Sequence, residues 1–574
     1  MVNVKNLFGM AVMATALVGC ASNDDLNPNA NEGAGKAGTA YAKFTIQLPT
    51  VSGTRAVDPY TGAEFNGGTA DEYAVKDAQL VIFEKTDASK GEGDYSYVET
   101  VNIGNLEPWS DQTPANQGVT RYSDITAKLG NVTLYDSGDK YYALIILNNE
   151  GQSKVKLPTS GTYSAWNVAN NAKEAKDFLS TTDGFYMSNA PLLKSGAPQT
   201  LVPINGVYST KEEAQTKPAT TVYVERGMAK VTVDGSDYTF DATSAFNKDK
   251  VSITKWTLDV MNQKTFPVHT TTGLTDKFAN IWSTKRFYAG ADPKRVYWGT
   301  DPNYSMTTLT TVPACKGEFY LLDREGNTYN GVAGSTVTWA DKTKPLYCLE
   351  NTFDIDNMKQ GQTTRVVFKA TYTPFVLATA ADKTFFMIGN NTKIWTKTNL
   401  EQQIANKAKE LLNTTGTVTA TISGDLLKGG SHLLNTGNVT IKEGSVGKNG
   451  DINFNNLNTK LGLDKTDGIK TYKNGECYYI ARIKHFNGLT PWNPGDKTYR
   501  DPSLSDDQNN NAFLGRYGVL RNNWYDLEVT KFSAPGYPDV PVVNPDVPDD
   551  EDTKYINVEV KILDWAKRTQ QVEL

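Results

Sequence analysis

Histidine and cysteine, the side chains that most often bind metals or act as nucleophiles, are scarce in this sequence. The three histidines, His269, His432 and His485, lie far apart and show no metal-ligating spacing such as HExxH. A zinc site or a histidine-based catalytic triad would have to be assembled from distant loops. We therefore expect no metal site, no cofactor and no catalytic residues.

The four cysteines indicate modification and packing rather than catalysis. No two of them form a CxxC pair. A modified Cys20 would leave Cys315, Cys348 and Cys477, which together allow at most one disulfide. We expect these three to be small buried apolar residues, although a 315–348 or a 348–477 disulfide is compatible with an oxidising compartment.

The first twenty residues have the organisation of an export signal. Lys5 supplies a positive charge, and residues 7–18 form an apolar stretch that is too short to span a bilayer. The signal ends in LVGC at residues 17–20, which resembles a bacterial lipobox. We predict a signal peptide over residues 1–19 and acylation of Cys20, for example with palmitate, which would hold a precursor in the outer membrane. An ordinary signal peptide with an incidental cysteine is the alternative.

An alternating segment and a loop with an arginine follow the signal. Apolar and polar residues alternate over residues 42–48, which predicts a half-buried β-strand that ends at Pro49. The apolar positions are Ala42, Phe44, Ile46 and Leu48. The next loop contains Arg55 and Ala56, and it suits a protease because a loop can be cut without unfolding the core. On composition alone, an ordinary surface arginine is the simpler interpretation.

The C-terminal region combines a proline-rich segment with a final apolar strand. Residues 533–553 are rich in proline and aspartate, which predicts an extended, solvated linker with a solvating acidic run at 546–552. Alternation over residues 554–574 predicts a strand that must join a sheet. Its apolar positions are Ile556, Val558, Val560 and Ile562, and Trp565 follows. Return to its own sheet is the simpler reading of the pattern, and addition to a second molecule is the alternative.

Between these ends the pattern is that of a mainly β protein. A length of 574 residues is consistent with about two to four domains. Short apolar strands separated by turns predict two antiparallel β-sandwiches, at residues 56–220 and 221–532, with short helical insertions. Gly227, in the middle of an apolar run, predicts a bend, and apolar spacing over residues 400–412 predicts an amphipathic helix. The net charge of −6 argues against nucleic-acid binding.

Several short sequence pieces, spread over the whole chain, carry a family resemblance. They are the lipobox, the strand with its Arg55-Ala56 loop, VERGMAKV at residues 224–231, RNNWY at 521–525, and VEVKILDW at 558–565 after the proline-rich linker. In this order they resemble the fimbrilin superfamily of the Bacteroidales, closest to the shaft subunits of the minor fimbrium of Porphyromonas.

The resemblance implies two transthyretin-like β-sandwich domains and assembly by donor-strand exchange. The first strand, in a pro-segment at residues 20–55, would keep a lipoprotein precursor monomeric. An arginine-specific protease would cut between Arg55 and Ala56, and residues 554–574 of a neighbouring subunit would fill the vacated groove. The implied product is a homopolymeric fimbrium on the cell surface, with accessory anchor and tip subunits, that mediates adhesion, biofilm formation and virulence.

Three other functions remain open from the residues alone. A surface glycan-binding lipoprotein of a polysaccharide-uptake system could use some of the ten tryptophans to stack on sugars. A secreted glycoside hydrolase needs only two suitably placed carboxylates, and the chain has many. A fimbrial tip adhesin of the same superfamily would need a groove but no donor strand, so the terminal strand favours a shaft position.

Overall fold

The computed structural model describes residues 39–49, 69–106, 110–111, 119–168, 178, 184–277, 286–289, 294–296, 298–464, 467–486, 489–493, 495–551 and 556–563. The described chain is mainly β, which confirms the predicted class. None of its helices is both long and apolar enough to cross a membrane. The predicted signal peptide, Cys20, Arg55, Ala56 and Trp565 lie outside the described residues.

The strands are short, as the turn spacing predicted. In chain order they are β1 (Ala40–Pro49), β2 (Ala78–Glu84), β3 (Ser96–Gly104), β4 (Ser110–Asp111), β5 (Val119–Leu129), β6 (Tyr141–Leu147), β7 (Met187–Asn189), β8 (Leu192–Lys194), β9 (Ala197–Gln199), β10 (Val202–Pro203), β11 (Thr220–Arg226), β12 (Met228–Gly235), β13 (Tyr238–Thr239), β14 (Lys250–Asp259), β15 (Met261–Asn262), β16 (Tyr288–Ala289), β17 (Lys294–Val296), β18 (Phe319–Tyr320), β19 (Leu346–Leu349), β20 (Arg365–Thr373), β21 (Phe385–Ile388), β22 (Val418–Ile422), β23 (Gly430–His432), β24 (Val439–Glu443), β25 (Val446–Gly447), β26 (Ile469–Tyr472), β27 (Glu476–Arg482), β28 (Trp524–Phe532) and β29 (Ile556–Leu563). The described α-helices are Ala70–Tyr73, Tyr163–Trp166, Lys211–Thr216, Leu274–Lys277, Val312–Glu318, Lys397–Leu412, Phe454–Lys460 and Asp506–Asn511.

The first sheet has the order β3-β2-β6-β7-β11-β1-β5-β4, with β10 paired to β6. This sheet folds over itself, because side chains from β1 and β11 share one hydrophobic core with side chains from β2 and β6. A second cluster covers the outer face of β2 and β6. Burial on both faces explains why these two strands are continuous apolar runs rather than alternating ones.

The chain passes from the first sheet to the second at Gly227. Val224, on β11, belongs to the first core, and Ala229, on β12, belongs to the next. A Cβ atom at Gly227 would lie 3.1 Å from the ring of Tyr186, a tight contact that glycine avoids. The predicted bend is present, but the changeover falls at Gly227 rather than near residue 220, because β11 completes the first sheet.

The second half contains two four-stranded sheets, β19-β12-β28-β29 and β13-β14-β20-β27. They share a core that includes Trp256, Phe368 and Leu527. An insertion between β20 and β27 has its own core, built on the helix Lys397–Leu412 and two three-stranded sheets. The helix was predicted from its apolar spacing; the hydroxyl of Thr396 caps it by accepting a hydrogen bond from the Asn399 N–H.

Candidate site of strand exchange

β1 occupies the middle of the first sheet rather than its edge. It runs antiparallel to β5 along its whole length, and parallel to β11, where Phe44 lies opposite Thr220. The four predicted inward residues, Ala42, Phe44, Ile46 and Leu48, are each at most 2% exposed. Removal of β1 would leave an apolar groove bounded by two strands with unpaired backbone groups.

The polar contacts described for the outward side chains of β1 are exposed. The Lys43 ammonium donates to the carbonyl of Gln215 at 3.2 Å. The hydroxyl of Thr45 donates to the carboxylate of Asp124 at 2.5 Å, in an exposed position. Exposed contacts of this kind contribute little to stability. β1 is therefore held mainly by its two hydrogen-bonded ladders and by its apolar face.

The C-terminal strand β29 lies at the edge of its sheet and pairs with β28 of the same chain. The two strands are antiparallel, with Trp524 opposite Leu563 and Leu527 opposite Val560. In this single chain the strand therefore returns to its own sheet, which is the simpler of the two interpretations of the sequence pattern. The predicted donor positions Ile556, Val558, Val560 and Ile562 all fall on β29, and their side chains lie outside what the structure describes.

The proline-rich segment before β29 is not a solvated linker, and that part of the sequence prediction is wrong. We call residues 534–551 the strap. Val540 and Val543 of the strap are 2% and 5% exposed and each belongs to a hydrophobic cluster of the second half. The side chain of Asp549, from the predicted acidic run, is fully buried 2.7 Å from Arg482. The strap is extended, as proline requires, but it is bound along the molecule.

The comparison with protein families matches this end of the chain. Residues 470–571 match the family described as major fimbrial subunit protein type IV, fimbrillin, C-terminal. This part of the chain is therefore similar to a fimbrillin C-terminal region. The match includes β27, β28, the strap and β29, and it confirms the predicted resemblance to the fimbrilin family.

Solved structures of fimbrial proteins show a slight likeness to this chain. A fimbrilin from Porphyromonas gingivalis W83 is 10% identical, with a TM-score of 0.37 and coverage of 93% of this chain and 98% of that one. The tip fimbrial protein Mfa3 from Porphyromonas gingivalis, with a C-terminal truncation, is 11% identical, with a TM-score of 0.30 and coverage of 92% and 100%. A fimbrial assembly protein from Parabacteroides distasonis is 11% identical, with a TM-score of 0.26 and coverage of 58% and 96%. A search of curated proteins finds no match.

Two of the sequence pieces that suggested the fimbrilin family meet where the two halves of the molecule join. The Arg226 guanidinium donates to the side-chain oxygen of Asn522 at 3.2 Å. The Lys230 ammonium lies 3.7 Å from the ring centre of Trp524. Residues 224–231 and 521–525 are thus adjacent in space, and their polar and charged residues form the junction.

Glu72 lies in the segment that follows the predicted cleavage loop, and it binds this segment to the same junction. Its carboxylate lies 2.8 Å from Lys230 Nζ and accepts a hydrogen bond of 2.6 Å from the Tyr347 hydroxyl. Burial by itself would raise the pKa of Glu72, but the hydrogen bonds from Lys230 and Tyr347 outweigh it and lower that pKa. A cut at Arg55 would therefore leave the new N-terminal segment anchored at Glu72 while β1 lost its covalent link.

The histidines and cysteines have structural environments. His269 lies 2.6 Å from Glu225, which also pairs with Arg295, in the buried interior. Cys315, Cys348 and Cys477 are buried free thiols, so neither of the two conceivable disulfides forms. Within the described residues, no group of three or more histidine, cysteine or acidic side chains is placed to hold a metal ion.

The sequence did not identify the residues that hold the candidate site in place. Glu72, Arg482 and Arg516 each bind partners that lie far away along the chain, and their neighbours in sequence form no pattern that reveals them. The sequence did contain one signal for the strap. Apolar residues such as Val540, Val543 and Val547 lie among its aspartates, whereas a freely solvated segment has no need of apolar residues.

Proposed function

We propose that this chain is the structural shaft subunit of a cell-surface fimbrium, exported as a lipoprotein, cut after Arg55 and polymerised by exchange of β1 for a neighbour's C-terminal strand. The central position of β1 carries this proposal. A strand with an apolar face in the core and a partner on each side is the part of a sheet whose loss creates the strongest need for a replacement.

The two strands involved differ in a way that favours exchange. β29 has one neighbour, β28, whereas the place of β1 offers two, β5 and β11. A neighbour's β29 that entered the groove would gain a second ladder of backbone hydrogen bonds and would be covered on its apolar face. Head-to-tail addition of this kind does not close on itself, so it produces a filament.

The tryptophans give little support to the glycan-binding alternative. Trp166, Trp256, Trp298 and Trp492 are at most 6% exposed. The described tryptophans that are only half-buried have a lysine over the ring, at 4.0 Å for Trp395. Sugar-stacking platforms need an open aromatic face, whereas the described tryptophans are either buried or have a lysine near the ring.

The test is to sequence the N-terminus of the subunit in fibres taken from the cell surface. We expect Ala56 as the first residue and no peptides from residues 40–49 by mass spectrometry. Fibres whose subunits begin at Cys20, or which contain residues 40–49 in stoichiometric amount, would refute strand exchange at this site. Fibres that contain only one copy of this chain at one end would favour a tip adhesin instead.

A further inference from the structure

The strap is bound to the second half of the molecule by backbone hydrogen bonds at several points. Tyr537 exchanges hydrogen bonds of 2.7 and 2.8 Å with Tyr478, and the Val540 N–H donates to the carbonyl of Arg324 at 2.9 Å. Further along, the Gln360 N–H donates to the carbonyl of Val547 at 3.0 Å. These bonds fix the strap in one register against β27, the loop after β18 and the loop before β20.

Two glycines allow the strap to lie this close. A Cβ atom at Gly536 would come 2.2 Å from the carbonyl oxygen of Tyr478, so only glycine fits this position of the strap. On the other side, a Cβ atom at Gly361 would come 2.9 Å from the backbone of Pro545. The body of the protein therefore contains a track shaped for this segment.

Two buried ion pairs close the track at the end of the strap nearest β29. Asp549 lies 2.7 Å from Arg482, and its carboxylate also accepts a hydrogen bond from the Thr363 hydroxyl. Asp550 lies 2.9 Å from Arg516, and both of these side chains are at most 5% exposed.

The carboxylate of Asp550 accepts hydrogen bonds from three donors. Besides Arg516, it accepts hydrogen bonds from the Tyr517 hydroxyl at 2.7 Å and from the Trp492 N–H at 2.9 Å. Detaching the strap would leave these donors and the two buried arginines without their carboxylates, which is far more costly than breaking a surface pair.

We propose that the strap stays on its own subunit during strand exchange, and that Arg482 and Arg516 are positioning residues that anchor the base of the donor strand. This inference rests on the proposed function. The residues exchanged are then those beyond Glu551, and the strap stays bound to the body of the donor subunit in the fibre. The anchor would set how far the donor strand extends from its subunit, and so the spacing between neighbours.

The first experiment uses two disulfide locks in the full-length chain. Lys359 lies opposite Pro548 in an antiparallel bridge, so Lys359→Cys with Pro548→Cys locks the strap to the body. Glu528 lies opposite Glu559, so Glu528→Cys with Glu559→Cys locks β29 to β28. Each oxidised chain is cut with an arginine-specific protease and its polymer yield is measured by sedimentation and electron microscopy, with the single-cysteine variants and the reduced proteins as controls.

We expect the strap lock to leave the polymer yield within about twofold of wild type, and the strand lock to reduce it at least about tenfold until reductant is added. If the strap lock also blocks assembly and reductant restores it, the strap must move and the inference is wrong while strand exchange stands. If neither lock affects assembly, the proposed function fails and the inference fails with it.

A second experiment tests the anchor itself. Asp550→Asn weakens the contact with Arg516, and we expect fibres of this variant to show a broader distribution of axial spacing between subunits. The strap lock added to Asp550→Asn should restore the wild-type spacing, because the disulfide replaces the ion pair as anchor. Unchanged spacing in Asp550→Asn, or broad spacing that the lock does not restore, would overturn the positioning role.

Discussion

Phe44 has the largest inward side chain of β1 and is fully buried in the first core. Replacing it with alanine leaves a cavity in the precursor, and Phe→Ala changes in protein cores cost about 3–5 kcal/mol. If β1 is removed on maturation, the fibre no longer contains residue 44. We therefore expect Phe44→Ala to lower the stability of the precursor by about that amount and to leave the stability of the fibre unchanged.

The assay compares the same variant in both states. Urea denaturation of the uncut precursor gives the change in the free energy of unfolding, and the urea concentration at which fibres dissociate reports the mature state. Gln47→Ala is the matched control, because Gln47 lies on the same strand but on its opposite, half-exposed face. It should change neither measurement by more than about 0.5 kcal/mol.

The reasoning fails if the fibre is destabilised by Phe44→Ala as strongly as the precursor is. That result would mean that β1 remains in its groove after assembly. A precursor that loses less than about 1 kcal/mol would contradict the structure itself, since a fully buried phenylalanine at the centre of a core cannot be truncated at so small a cost.

Further predictions concern cleavage, the donor strand and a buried carboxyl. Arg55→Ala should leave an unassembled precursor, and normal fibres from it, seen by electron microscopy, would refute the cleavage step. Deleting residues 555–574 should give folded monomers by sedimentation that do not extend, and continued polymerisation would show that the donor lies elsewhere. Val560→Asp should reduce polymer yield because a carboxylate would enter an apolar groove, whereas Lys561→Asp, on the opposite face, should assemble normally. Burial and the nearby Glu350 raise the pKa of Asp301 to about 7 from 3.8, so its contribution to stability should fall as the pH rises from about 4 to 7, and Asp301→Asn should remove this part of the pH dependence of urea denaturation.

The elements nearest the candidate site were predictable because their patterns are local. Alternation over residues 42–48 predicted β1 and its inward face, and the glycine in an apolar run predicted the bend at Gly227. A period-2 pattern marks which residues face the core whatever the rest of the sheet does. The pattern could not reveal that β1 lies between two strands, because sheet order depends on pairings with β5 and β11 that are distant in sequence.

The prediction of a solvated linker is wrong for the strap because composition describes only an average environment. Proline removes backbone donors and favours an extended chain, and that part of the prediction was correct. Aspartates in such a segment normally face water, but here Asp549 and Asp550 meet Arg482 and Arg516. Burial of a carboxylate becomes tolerable only once a partner is in place, and a partner supplied by another part of the fold leaves no local signal.

In the proposed strand exchange, the docking of β29 on its own β28 would set a threshold that polymerisation must exceed. Return to the home sheet is intramolecular, and a tethered segment has an effective concentration of about 1 mM, which exceeds a neighbour concentration of about 1 μM by about a thousandfold, equivalent to about 4 kcal/mol. A neighbour's groove must therefore offer about that much more than the home edge does. The parallel pairing with β11 involves four residue positions along β1. At about 0.5–1.5 kcal/mol per net hydrogen bond, a second ladder of this length would contribute about 2–6 kcal/mol, which is of the same size as the threshold. While β1 is still covalently attached, it fills the groove with the same advantage of a tethered segment, so under the proposed exchange assembly would begin only after the cut.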